Sequence, residues 1–425
     1  MMVDNSINNT DDIVSDCELD KKTLENSIQK FVSWLEKHGY ASYDPYDIWG
    51  IPYSLWARKL YYKKSLLGLP FIAPIIFIDT FLPGLRQFIV KKERFATADA
   101  QILLAFINLY KYYNDDKYLE KAKTLGEEIL SYSIPGYSGY CWGYPFDWQN
   151  SGALWRKNTP YITATPYCFE AYLALYDCTS DKKYLDIAES IARFVADDLK
   201  ETPTGPDASA GSYSPIDNSK VINASAYRAM VLTEASVRFQ NEIYREKANR
   251  NINFILQTQN ADGSWLYEID HTKSAFIDHF HTCFVLKNLY KLNKHKKDSG
   301  IAEAIRRGFG YYRKSLFRTD GSPKPFAIEP RFQIVTDDLY NYAEAITLCS
   351  LLGNESSTVV LAENLARKVI EKYQVKNGYF ITKVYRCRIK TRFPFLRWSQ
   401  AQNFYGLTNL LFIMYVNTIN RNLEE

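Results

Sequence analysis

The chain has 425 residues, of which 46% are hydrophobic and 24% charged, so it encodes a globular protein able to bury a large core. Its formal net charge of +4 is small for this length, which excludes a polyanion groove and with it nucleic acid as the expected partner. Aromatic residues make up 15%, with 33 tyrosines, each offering a ring face and a hydroxyl to a polar ligand with apolar faces.

Taken in chain order, residues 1–20 are acidic and polar and read as a disordered tail without the apolar core of a secretory signal. The seven cysteines, at 17, 141, 168, 178, 283, 349 and 387, are odd in number and form no Cys-x-x-Cys pair. Both features point to the reducing cytoplasm. The next feature, LLGLPFIAPIIFIDTFLPGL at 66–85, is strongly apolar and lies between basic residues. Pro70, Pro74, Asp79 and Pro83 interrupt it, so it falls short of the roughly 20 uninterrupted apolar residues of a membrane span. Its preferred reading is a buried loop and short helix. The alternative is a wedge making peripheral contact with the inner membrane leaflet, held by cation attraction to anionic lipid.

From residue 114 a repeat sets in. NDDKYLEKAKTLGEEIL, SDKKYLDIAESIARFV and QNEIYREKANRNINFIL each open on a polar turn, then an aromatic, then apolar residues at helical spacing. Weaker copies follow at 298–317 and 355–373, so the period is about sixty residues. Each amphipathic helix is followed by a loop rich in Gly, Pro and aromatics, then by a more apolar helix such as TPYCFEAYLALYD or LYNYAEAITLCSLL. This alternation predicts stacked helical hairpins, with the apolar member inside and the charged one outside. Five or six of them over residues 21–420 suit one closed ring better than an open solenoid, because no polar capping repeat is evident at the end.

The pattern resembles the (α/α)6 toroid of the six-hairpin glycosidase-like superfamily over nearly the whole chain, and the expected fold class is therefore all-α. Related toroids serve polysaccharide lyases, glucuronyl hydrolases and uronate epimerases, so the resemblance implies a carbohydrate-active enzyme. The chain also resembles a family encoded in bacterial surface-polysaccharide gene clusters, which implies an oligosaccharide or lipid-linked glycan as partner.

In such a ring every loop from an outer to an inner helix opens on one face, and those loops gather the candidate residues. The stretch GYSGYCWGYPFDWQN at 136–150 has neither helical nor strand period; Trp142, Tyr144 and Trp148 read as sugar-stacking walls and Asp147 as a desolvated general acid. Glu170 and Tyr227, one turn into their inner helices, and Asn223 at the start of another read as substrate contacts. Trp265, in the turn QNADGSW, covers the pocket or the core. In AFIDHFHTCFVL, Asp278 and His281 are three apart and share a helix face, the arrangement of a carboxylate that orients an imidazole for acid–base work. The competing reading makes Asp278 a helix cap and the histidines packed residues. His279 is expected to touch substrate. With Cys283 and Cys141 it could form a metal set, but buried cysteine is the commoner explanation and no metal is expected. Glu268 adds a rim acid, Tyr340 a base, and Glu344 a second catalytic carboxylate. Arg397, Trp398 and Gln400 start the last inner helix and suit a carboxylated sugar.

The leading expectation is glycosidic-bond hydrolysis by paired carboxylates. The alternatives are a uronate lyase or C5-epimerase with a His or Tyr base, and a non-catalytic glycan-binding or assembly factor at the inner leaflet. No cofactor is expected.

Overall fold

The computed structural model describes residues 19–63, 65–149, 154–270, 275–329, 333–353 and 356–424. The N-terminal tail, apart from Leu19 and Asp20, lies outside these residues. Asp20 caps the first helix, α1 (Lys21–His38), by accepting from the backbone N–H groups of Lys22 and Thr23.

Six outer helices alternate with six inner ones. The outer set is α1, α5 (Asp116–Ser131), α7 (Lys182–Asp197), α9 (Glu242–Gln257), α11 (Ser299–Ser315) and α13 (Ser356–Lys368). The inner set is α4 (Ala96–Tyr113), α6 (Thr165–Thr179), α8 (Ile222–Arg238), α10 (His279–Lys296), α12 (Leu339–Leu351) and α14 (Gln400–Glu424). Most outer helices start on a side-chain cap: Asp115, Asp181, Asn241 and Asp298 each accept from a backbone N–H two or three residues on. Those aspartates and the asparagine are the polar turns of the repeat.

Inner helices are buried nearly all round, whereas outer helices bury one stripe; α7 buries Tyr184, Ile187, Ala188 and Ile191 and exposes its lysines. The ring closes where α14 packs on α4, with Phe106 and Phe404 edge to face at 5.5 Å and Asn108 donating to Asn409 at 2.8 Å. This is an all-α toroid of six helical hairpins. Short antiparallel strand pairs decorate the loops, among them Trp148–Gln149 with Leu154–Trp155.

Residues 66–85 depart from the preferred reading. They lie in a helical hairpin, α2 (Pro52–Lys63) and α3 (Ser65–Phe81), inserted between α1 and α4, and α3 is largely exposed rather than buried. Pro70 and Pro74 sit inside the helix. No described helix is long and apolar enough to cross a membrane.

Candidate functional site

The outer-to-inner loops do gather on one face of the ring. There they enclose a cavity of about 420 Å³, within the range of small-molecule sites. The first turns of the inner helices form its floor: Thr97 of α4, Tyr167 of α6, Phe280, His281 and Phe284 of α10, and Tyr340 of α12. The N-termini of inner helices therefore converge here, and their partial positive charge favours negative charge developing on a bound oxygen.

The walls are aromatic. Tyr144 stacks on Phe146 (centroids 5.7 Å apart, planes at 8°) and on Tyr161 at 5.1 Å, and Trp155 stacks on Tyr161 at 5.1 Å. Opposite them Tyr340 stacks on Trp398 at 4.5 Å, and Tyr46 meets both Trp148 and Trp398 edge-on. Such rings pre-arranged against one another present faces to the C–H side of a sugar and hydroxyls to its polar edge. Burial, reinforced by Glu344, raises the Tyr340 hydroxyl well above its ordinary pKa, so it stays protonated and can donate a hydrogen bond into the cavity.

Asp278 is held by two contacts at the start of α10. One carboxylate oxygen, Oδ1, accepts from the His281 backbone N–H at 3.0 Å and caps α10; the other, Oδ2, lies 2.6 Å from His281 Nδ1. A carboxylate only accepts, so Nδ1 carries the proton and Nε2 is left as the basic nitrogen of a ring that lines the cavity. Behind this pair lies a second cavity of about 10 Å³, lined by Asn223, Asp278, His281 and Thr282. Asn223 is buried there, with neither side-chain polar atom hydrogen-bonded among the described residues.

Arg397 lines the main cavity, but its charge is already matched. Nε and Nη2 hold the two oxygens of buried Asp44 at 2.5 and 2.7 Å, and the guanidinium stands 4.6 Å from the Tyr144 ring centre. Asp44 was not singled out from sequence. Trp398 donates from Nε1 to Asp338 at 3.1 Å, which fixes the indole against Tyr340. Glu268 also lines the cavity.

Of the residues named from sequence, Tyr144, Trp148, His281, Tyr340, Arg397 and Trp398 meet in the cavity, as does the rim acid Glu268. The others do not line it. Asp147 accepts from Arg156 at 3.0 Å and from the Lys157 N–H at 2.7 Å, so its carboxylate is engaged by an exposed arginine and does not line the cavity. Glu344 pairs with Lys287, and Glu170 with Lys291, one turn below the floor. Tyr227 is buried with its hydroxyl 2.7 Å from that of Tyr167. Trp142 and Trp265 are core residues whose indoles donate to the carbonyls of Ile129 and Ile255. Gln400 exchanges hydrogen bonds with the Phe380 backbone. His279 is fully buried between the Tyr312 hydroxyl and the carbonyls of Leu316 and Lys324, and burial lowers its pKa to about 3, so it stays neutral. Cys283 donates to Tyr312, and no cluster able to hold a metal occurs among the described residues. The sequence reading missed Tyr46, Trp155, Tyr161, Tyr213, Tyr267, Phe280 and Phe284 of the lining. Their one common signal is an aromatic beside a turn or at the first turn of an inner helix.

No protein-family model and no curated protein sequence matches the chain. Solved structures do. A D-mannose isomerase is 12% identical, with a TM-score of 0.62 over 95% of this chain and 100% of that one. An unsaturated glucuronyl hydrolase specific for heparin is 12% identical, with a TM-score of 0.61 over 94% and 97%. Cellobiose 2-epimerase from Bacillus thermoamylovorans B4167 is 12% identical, with a TM-score of 0.58 over 76% and 88%. At this identity the likeness is one of fold: the chain shares the closed α/α toroid of these three enzymes.

Proposed function

We propose that the protein is a carbohydrate-active enzyme that transfers a proton at a carbon of its sugar substrate, with His281 as base and Asp278 as the residue that positions it. The observation carrying this reading is the Asp278–His281 pair opening on an aromatic-walled cavity. Hydrolysis by paired carboxylates needs two carboxyl groups flanking the scissile bond. Of the acids weighed for that role, Asp147, Glu170 and Glu344 are tied to basic partners and do not line the cavity, and Asp278 is tied to His281, which leaves Glu268 as the carboxyl among the described lining residues.

His281 Nε2 takes a proton from a carbon next to a carbonyl or carboxyl group, and the electron pair moves onto that group's oxygen. Buried tyrosine hydroxyls, Tyr340 among them, and the converging helix N-termini stabilise the oxyanion. Return of the proton to the other face, after the bound intermediate turns over against His281, gives the epimer; return to the neighbouring carbon, with the hydroxyl proton passing from one oxygen to the other, gives the isomer. Because Arg397 is matched by Asp44, a neutral sugar reacting through its open-chain carbonyl is favoured over a uronate. The isomerase and the epimerase among the fold's neighbours are by name enzymes that rearrange a sugar without cleaving it, which supports the same reading. We take the substrate to be a glycan or glycan precursor of surface polysaccharide, as the sequence resemblance implies. The free cysteines support a cytoplasmic setting.

The test is incubation of the full chain in D2O with mannose, cellobiose and glucuronate-ended oligosaccharides, followed by proton NMR. Loss of an H2 or H5 signal with the wild type, and none with His281→Asn, is expected. New reducing ends that survive His281→Asn would restore hydrolysis as the leading reading. Binding without exchange or cleavage would make the protein a glycan-binding factor.

A further inference from the structure

The α2–α3 hairpin and the turn Pro83–Phe88 after it lie against the ring along one side, where the buried Arg86 guanidinium stands 4.5 Å from the Phe395 ring centre, and leave most of α3 exposed. In α3 the buried positions Gly68, Ile72 and Ile75 form one stripe. It packs on α2, where a Cβ at Gly68 would meet the Tyr61 Cα at 2.3 Å, and on a small core with Ala57 and Ile48. The remaining faces are apolar as well, with Leu66 81%, Leu67 61% and Phe77 53% exposed, and Phe88 beyond the helix is 78% exposed. Ring contacts join the surface across the two helices, from Tyr53 to Trp56 and from Trp56 to Phe71, with Phe77 and Phe81 paired further along. Single exposed apolar residues are ordinary, but a joined surface of this kind marks an interaction site.

Charge identifies what covers it. Residues 52–92 contain seven basic residues, Arg58, Lys59, Lys63, Lys64, Arg86, Lys91 and Lys92, against a single acid, Asp79. Asp79 is bonded to buried Arg86, while Lys59, Lys63, Lys91 and Lys92 are exposed. A second copy docking through the same face would set these lysines against one another, since a two-fold interface is self-complementary. An anionic bilayer supplies the acyl boundary for the apolar residues and phosphates for the lysines. The insertion is shallow. Pro70 and Pro74 lack N–H groups, so the carbonyls four residues earlier have no helical partner and must stay within reach of water or headgroups.

The hairpin also borders the cavity. The Arg58 guanidinium lies 3.8 Å from the ring centre of Trp148, which lines the cavity, and Gly50 ahead of α2 packs on the backbone of Asp147. We propose that the α2–α3 hairpin docks the protein on an anionic membrane surface and holds the cavity beside it, so that the glycan acted on is one joined to a membrane lipid. The second half rests on the carbohydrate reading above; the docking does not.

Flotation of the full chain with vesicles of phosphatidylcholine, with and without phosphatidylglycerol, tests the docking. The wild type is expected to float with the anionic vesicles and to lose binding as salt rises. The double variant Leu66→Ser/Phe88→Ser, both residues exposed and outside the cavity, should stay in the soluble fraction with an unchanged thermal transition. Lys91→Gln/Lys92→Gln should lower partitioning about 30-fold at low salt, from about fivefold per lysine near the surface. Failure of the wild type to float, or flotation untouched by the serine variant, would overturn the proposal. So would a concentration-dependent dimer that the serine variant makes monomeric. Deuterium exchange into soluble sugars should be unaffected by the serine variant, so the carbohydrate reading and the docking fail separately.

Discussion

Asp278→Asn isolates the role given to His281, because the geometry dictates which way the amide must turn. Oδ1 is committed to the His281 backbone N–H and Oδ2 faces Nδ1 at 2.6 Å. Asparagine caps a helix about as well as aspartate, and to do so its carbonyl oxygen must take the Oδ1 position. The amide NH2 then falls opposite Nδ1 and donates to it. The imidazole is driven into the other tautomer, with the proton on Nε2, and the nitrogen offered to the substrate becomes a donor. The expected loss is about 10²–10⁴-fold in the exchange rate, or about 3–5 kcal/mol of barrier. Unfolding free energy should fall by no more than about 1 kcal/mol, since the cap survives. Substrate affinity should hold, because the aromatic walls are untouched. The assay is the rate of deuterium uptake into the sugar, paired with ¹⁵N shifts of His281 that report which ring nitrogen carries the proton. A flipped tautomer with an exchange rate within about threefold of wild type would refute His281 as the base.

Three further outcomes are expected. Glu344→Gln or Lys287→Met alone, by stranding a buried charge, should cost about 3–5 kcal/mol in denaturant unfolding, and replacing both by apolar residues should recover much of it. Trp142→Ala should cost about 3–5 kcal/mol of stability, whereas Trp148→Ala should cost under about 1 kcal/mol and weaken sugar binding in calorimetry. His279 has a folded pKa of about 3 against an ordinary 6.5, so below pH 6.5 the unfolded chain takes up a proton that the native state refuses. Its contribution is full above pH 6.5 and declines down to about pH 3, by up to about 1.4 kcal/mol per pH unit, and His279→Gln should flatten that limb of the denaturant midpoint against pH.

The ring was legible because inner and outer helices carry different periods of hydrophobicity and their caps are short polar turns. The first hairpin escaped detection for a local reason: the α2–α3 insertion separates outer α1 from inner α4 and breaks the sixty-residue spacing. The face of the ring that holds the site was legible too, from loop composition. Depth was not. On α12 Tyr340 lines the cavity and Glu344 does not; on α6 the same holds for Tyr167 and Glu170, so one helical turn separates floor from foundation. Within the aperiodic loop, Trp142 and Trp148 have the same composition around them, and only the fold decides which enters the core. The partner of Arg397 was beyond reach for a different reason, since Asp44 lies 353 residues away in sequence.

The foundation itself explains why the chemistry sits at one mouth of the ring. Below His281 and Phe284, α10 presents Lys287, Lys291 and His295 on successive turns. Each meets an acid from a different inner helix: Glu344 of α12, Glu170 of α6 and Glu234 of α8. Two lysines and a histidine of α10 thus reach across the ring to carboxylates and tie its helices together by hydrogen bonds. Removing either partner of the Lys287–Glu344 pair strands the other in a dry interior, while the Lys291–Glu170 and His295–Glu234 pairs keep some contact with solvent. The Asp278–His281 pair stands above these pairs, at the cavity floor itself, where the imidazole keeps a face to the cavity and the carboxylate stays fixed by the helix it caps.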